Sequence, residues 1–215
     1  ILIYRSCFFA SEYIIRGGFN VIKLKSLVIC VFMMFICATV FAQQKVAIFL
    51  EAPLTFCNDE KVHTMVDEKA QLIFTKDKFD ILPLSDSLSA IQLYREEHDM
   101  ASVVSSGWSG YAVPMKKENV QEIGKNLACD YVFFVRLTND VPRYSSGFMS
   151  VTAKTNITCD ARVMNVAKGE YTFMKQILTE GKSTAIYMGA PSFEKAYFRA
   201  FEKALKDIKI DTNKI

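Results

Sequence analysis

Histidine is nearly missing from this chain of 215 residues, which holds only His63 and His98. A zinc site or a Ser-His-Asp arrangement would have to be assembled around one of them. Neither stands in metal-ligand spacing with another histidine or a cysteine. Each falls on an expected helix with acidic neighbours, as surface histidines do. The chain also lacks an apolar run long enough for a permanent anchor. The run from Ser26 to Ala42 has 17 residues, and crossing the hydrocarbon core takes about 20.

That shorter stretch has the parts of a cleavable export signal. Lys23 and Lys25 form a basic start, Leu27 to Cys37 is unbroken and apolar, and Ala38-Thr39-Val40-Phe41-Ala42 leads to a cut before Gln43. Neither Cys30 nor Cys37 follows the small residue of a lipobox, since each follows an isoleucine. Arg16-Gly17-Gly18 can be encoded by a purine-rich run like a bacterial ribosome-binding site. Val21, encodable by GTG, lies at a suitable distance. The expectation is that residues 1–20 are an untranslated upstream extension, 21–42 the signal peptide and 43–215 a single exported domain, periplasmic or secreted.

Charge of one sign is missing too, once the leader is set aside. The full chain has 26 basic and 23 acidic residues. Arg5, Arg16, Lys23, Lys25 and Glu12 belong to the leader, which leaves 22 of each. Such balance gives no case for nucleic acid, and the membrane enters only through the signal segment. Cysteine is too scarce for a disulfide scaffold, because only Cys57, Cys129 and Cys159 follow residue 42.

What is present reads as an α/β domain. Lys45–Leu50 has strand length, Asn58-Asp59-Glu60 offers an N-cap and acidic first turn, and apolar residues at helical spacing extend a helix over 59–75. Phe79–Leu84 reads as a second strand. Ser85 or Ser87 caps a helix reaching about His98, and 116–127 is a third helix. Tyr131–Leu137 is a continuous apolar strand, whereas Val151–Val163 alternates apolar and polar. Gly169 supplies the positive φ of a tight turn into a strand over Tyr171–Thr179, and Ser192 caps the last helix. The order β-α-β-α-α-β-β-β-α implies one mixed four- to five-stranded sheet with helices packed on it.

Several of these segments resemble bacterial envelope α/β domains: Lys45–Phe49, Leu127–Val135, the strand pair within Cys159–Tyr171, and the closing helix rich in Ala and Phe. The group includes the curli-secretion channel subunit, the outer-membrane activator of penicillin-binding proteins and the amino-terminal domain of TolB. The resemblance implies an envelope interaction module and transfers no functional residue. The lipobox of the first two families is absent here.

Other motifs fail on inspection. Gly181-Lys182-Ser183 matches only the end of a phosphate-binding loop, and the required earlier glycine is Gln176. Ser192 and Lys195 have the serine–lysine spacing of penicillin-interacting enzymes. No Ser-Asp-Asn exists, however, and Lys154-Thr155 is followed by Asn156 instead of glycine. Gly107-Trp108-Ser109-Gly110-Tyr111 lacks the closing glycine of a nucleophile elbow. No catalytic, cofactor or metal residue is assigned, and the reading leans against an enzyme. With Tyr131–Thr138 paired to Val151–Thr158, Cys129 and Cys159 come close enough either for a disulfide or for two buried thiols. Two loops carry Ser-Ser-Gly followed by an aromatic residue, one with Trp108 and Tyr111, the other with Arg143, Tyr144 and Phe148. They form either turns whose aromatics fold back onto the core or a patch for a protein or other macromolecule of the envelope. A small extracytoplasmic enzyme or small-ligand carrier is the alternative.

Overall fold

The computed structural model describes residues 43–100, 103–106, 109–186 and 189–215. The expected extension and signal, 1–42, lie outside the described residues, as does Trp108. The chain from Gln43 to Ile215 forms one unit. Its elements are β1 (Gln44–Glu51), α1 (Leu54–Cys57), α2 (Glu60–Ile73), β2 (Phe79–Ile81), α3 (Leu84–Glu97), β3 (Val103–Ser106) and β4 (Ser109–Ala112). Then come α4 (Lys117–Asn126), β5 (Tyr131–Asn139), β6 (Arg143–Ser146), β7 (Ser150–Asn165), β8 (Glu170–Ile186) and α5 (Phe193–Asp207). The fold class is the expected mixed α/β. No described helix is long and apolar enough to cross a membrane.

β1 runs parallel to both β2 and β5, and antiparallel pairing then joins β5 to β7 and β7 to β8. Strand alternation sends two apolar sets to opposite faces. Val46, Ile48, Phe133 and Val135 pack with α2 and α5. Ala47, Phe49, Val132 and Phe134 pack with Ile91 and Tyr94 of α3 and with Val120 and Ile123 of α4. This double cover explains why β1 and β5 are almost uniformly apolar. Local signals agree. The Asp59 carboxylate accepts from the Lys61 and Val62 amides at 2.9 and 3.2 Å, Gly169 takes φ +65°, and Ser192 Oγ accepts from the Lys195 amide at 3.1 Å.

The sheet departs from expectation in three places. First, the β5–β7 register is displaced by seven residues, so that Tyr131 faces Asn165. The expected pairing would set Phe133 beside Asn156 and Val135 beside Lys154. The observed one sets Phe133 beside Val163, Val135 beside Ala161 and Leu137 beside Cys159, all buried on one face. Second, β7 therefore outruns β5. The short strand β6 fills the vacant edge by pairing with Val151–Lys154, giving six strands instead of four or five. Third, the stretch expected as a loop before α4 contains the separate β3–β4 ribbon. Pro83, not a serine, stands at the N-cap of α3, which stops β2 at Ile81.

β8 continues seven residues past its expected end and carries Gly181 into the sheet. A Cβ on Gly181 would lie 1.8 Å from the Ala196 carbonyl oxygen of α5. The missing side chain thus sets how closely helix and strand approach. Thr179 Oγ1 donates to the Ala200 carbonyl at 2.8 Å across the same junction.

Candidate functional site

Two surfaces combine exposed chemistry with a defined scaffold. The first is the far end of the β6–β7–β8 sheet. β6 is exposed throughout, and the turn after it leaves Phe148 wholly in solvent. Tyr144 is 62% exposed, and Met149 and Ile186 are exposed with it. Ser150 pairs with Ile186, and Ser146 with Val151, so these residues share one end of the sheet, with Tyr144 on the face of Ala153 and Ile186 on the opposite one. Arg143 pairs with Lys154 in the same ladder. Arg143 and Tyr144, adjacent on β6, therefore point to opposite faces of the sheet, and Phe148 stands in the turn beyond them. The structure corrects the alternative in which Phe148 folds back onto the core. The register shift places its turn beyond the end of β5, where neither helical layer covers it.

The second surface is a cleft of about 710 Å³ at the carboxyl ends of β1 and β5. Glu51, the last residue of β1, is the register partner of Arg136 on β5. The Arg136 Nε donates to Glu51 Oε2 at 2.6 Å, and Arg95 of α3 donates to Oε1 at 2.7 Å. The Met115 amide adds a third donor at 2.9 Å, while Arg95 also donates to the Val113 carbonyl. These bonds tie α3 and the segment before α4 to the strand ends. Tyr111 lines this cleft, its hydroxyl donating to Asn139 Oδ1 at 2.9 Å and accepting from the Asn139 amide at 3.0 Å. It therefore stands apart from the tip residues, which approach the cleft only through Asp140.

Sequence reasoning missed Glu51, Arg95 and Arg136. Glu51 closes an apolar strand and Arg95 sits on the buried side of α3. A charged residue at a core position is the signal that could have found them.

The other chemistries find no support among the described residues. His63 Nε2 bonds the Cys57 carbonyl at 2.6 Å, and His98 stacks on Tyr94 with ring centroids 3.9 Å apart. No cluster of His, Cys, Asp or Glu able to hold a metal occurs among the described residues. Gly181-Lys182-Ser183 is extended strand, with Lys182 paired to Glu180 at 2.7 Å.

Cys57, Cys129 and Cys159 are free thiols. Cys129 packs on the α3–α4 face and Cys159 on the α2–α5 face. The register corrects the expected proximity, because Cys159 faces Leu137, roughly 20 Å along β5 from Tyr131 at about 3.3 Å per residue. A disulfide needs Cα atoms within about 7 Å. Burial pushes the Cys159 thiol up to about 12.

No protein-family model matches the chain, and no curated protein matches it significantly. Among solved structures, the chain is similar to the C-terminal domain of LpoB from Salmonella enterica. The two share 13% identity over 68% of this chain and 89% of that one, with a TM-score of 0.32. It is also similar to a lipoprotein from Neisseria meningitidis, at 10% identity over 74% and 94% and a TM-score of 0.35. A hypothetical protein from Chlamydia trachomatis matches at 9% identity over 77% and 93%, with a TM-score of 0.34. These neighbours are consistent with the bacterial envelope α/β resemblance read from the sequence. These similarities assign no activity and no residue role to this chain.

Proposed function

We propose that this chain is an exported, non-enzymatic domain that binds another macromolecule of the cell envelope through the free end of β6, β7 and β8. Periplasmic residence or secretion follows cleavage near Ala42 and Gln43. The observation that supports the reading is the exposure of Phe148, Met149, Tyr144 and Ile186 at one end of the sheet, with Phe148 wholly in solvent. Neighbouring apolar side chains left in water mark surfaces whose burial awaits a partner, and aromatics flanked by an arginine are favoured anchors. Arg143 supplies that cation, and Asp140 and Glu180 add polar rim groups. The partner is best sought among envelope proteins.

The test is affinity capture from solubilised native envelope with the mature domain as bait, alongside a Tyr144→Ala, Phe148→Ala double variant. The reading expects a partner retained by the first bait and lost by the second, while both stay equally folded. Retention of every partner by the double variant would rule the surface out. The N-terminal residue of protein recovered from cells tests export separately, and Gln43 or a neighbour is expected.

A further inference from the structure

At the floor of the cleft the buried guanidiniums outnumber the buried carboxylates, although the rim brings the whole lining to three carboxylates against two arginines. Two guanidinium groups, Arg95 and Arg136, share one carboxylate, Glu51. The three side chains are only 10%, 22% and 11% exposed. They also donate to neutral carbonyls: Arg95 to Val113 and Arg136 to Met115. A charge held mostly out of water is costly without a counter-charge, and one unit here has none at its own depth. Glu96 and Asp140 also line the cleft, but both are exposed at the rim, and Asp140 accepts from Asn156.

The surroundings fit a small molecule. The opening lies outside the carboxyl ends of parallel strands. There the chain leaving β1 turns toward the α2 face while α3 covers the other, the position where open α/β sheets receive ligands. The volume falls within the range of small-ligand clefts. Leu54, Leu88, Ile91 and Pro114 give apolar walls, and the Tyr111 hydroxyl and Asn139 add a polar edge.

We infer that this cleft binds a small amphiphilic carboxylate, its head on the guanidiniums of Arg95 and Arg136 and its apolar body along Leu54, Leu88 and Ile91. Guanidinium forks suit carboxylates and phosphates alike. One guanidinium without a carboxylate at its own depth favours a monoanion, and the rim carboxylates Glu96 and Asp140 repel a dianion more strongly. This inference is independent of the macromolecular surface at the sheet end.

Octanoate and octanamide, matched in shape and differing in charge, are the probes, with the mature domain titrated by calorimetry at neutral pH. The inference expects octanoate to bind at least about tenfold more tightly than octanamide, as loss of a charged hydrogen-bond partner implies. Octanoate should also slow alkylation of Cys57, the half-buried thiol in the cleft wall. Arg136→Gln should remove the preference for the carboxylate. Thr138→Asp puts a competing anion at an exposed lining position that the fold does not need, and should weaken octanoate about tenfold while leaving octanamide unchanged. It keeps the test decisive if Arg136→Gln does not fold. Equal affinity for the two probes, no binding at millimolar concentration, or octanoate binding indifferent to Thr138→Asp would each overturn the inference.

Discussion

Replacing Gly181 with alanine drives a methyl group into the backbone of α5. The added Cβ would sit 1.8 Å from the Ala196 carbonyl oxygen and 2.8 Å from both the Ala196 carbonyl carbon and the Ala200 nitrogen. Backbone atoms cannot swing aside as a flexible side chain can, so helix and strand must part by more than about 1 Å to restore ordinary contact. Overpacking of this kind costs about 1–3 kcal/mol. Parting the two elements also stretches the Thr179–Ala200 hydrogen bond, worth about 1 kcal/mol. Against this, alanine stiffens the unfolded chain and returns about 0.5 kcal/mol. The net expectation is a loss of about 2–3 kcal/mol, or roughly 4–12 °C in melting temperature for a domain of this size. Urea denaturation of the mature domain measures it. Gly189→Ala is the control, since its Cβ meets only the Ala185 Cβ at 3.2 Å and the Ile186 oxygen at 3.5 Å. A Gly181→Ala protein within about 0.5 kcal/mol of wild type would refute the assigned packing of α5 on β8.

Glu51→Gln keeps the shape of the cleft floor but leaves Arg95 and Arg136 without their shared anion. The expected cost is about 3 kcal/mol by denaturant titration, and a change near zero would mean that the cluster is solvated. Cys159 gives a pH signature. Burial, helped by the charge of Asp160, holds the folded thiol protonated up to about 12, against an ordinary value of 9.0. Between those values the folded state retains a proton that the unfolded state has released. Stability therefore falls as pH rises from about 9 to 12, by at most about 1.4 kcal/mol per pH unit from this group. Cys159→Ala should flatten that slope, and an unchanged slope would contradict the assigned burial. Alkylation of native protein should label Cys57 first and reach Cys159 only on unfolding, with no mass change on reduction before labelling. A mass change on reduction would restore the disulfide.

Elements whose cause is local were legible in the sequence. The Asp59 and Ser192 caps, the Gly169 turn and the apolar run of β1 each depend on residues a few positions apart. The β5–β7 register was not legible in the same way, because a hairpin read from its loop assumes the shortest closure. Here the closure carries an extra strand, and burial of Val163, Ala161 and Cys159 against β5 decided the pairing. β6 itself is polar and exposed, so it has no periodic signature. The β3–β4 ribbon lies in a serine- and glycine-rich stretch that reads as turn. At the candidate sites, Arg143, Tyr144 and Phe148 could be proposed from the sequence because aromatics in a loop are visible in one segment. Glu51, Arg95 and Arg136 were not, because they come from β1, α3 and β5 and meet only when the sheet forms.

In the proposed function, the sheet end around Phe148 faces a partner in the envelope. A photo-crosslinking residue placed at position 148 in cells that make the protein tests this most directly, with position 72 as comparison. Leu72 on α2 is 78% exposed and apolar, but stands outside the proposed surface. A discrete cross-linked protein adduct is expected from position 148 and not from position 72. No adduct from 148, or the same adduct from both positions, would contradict that function.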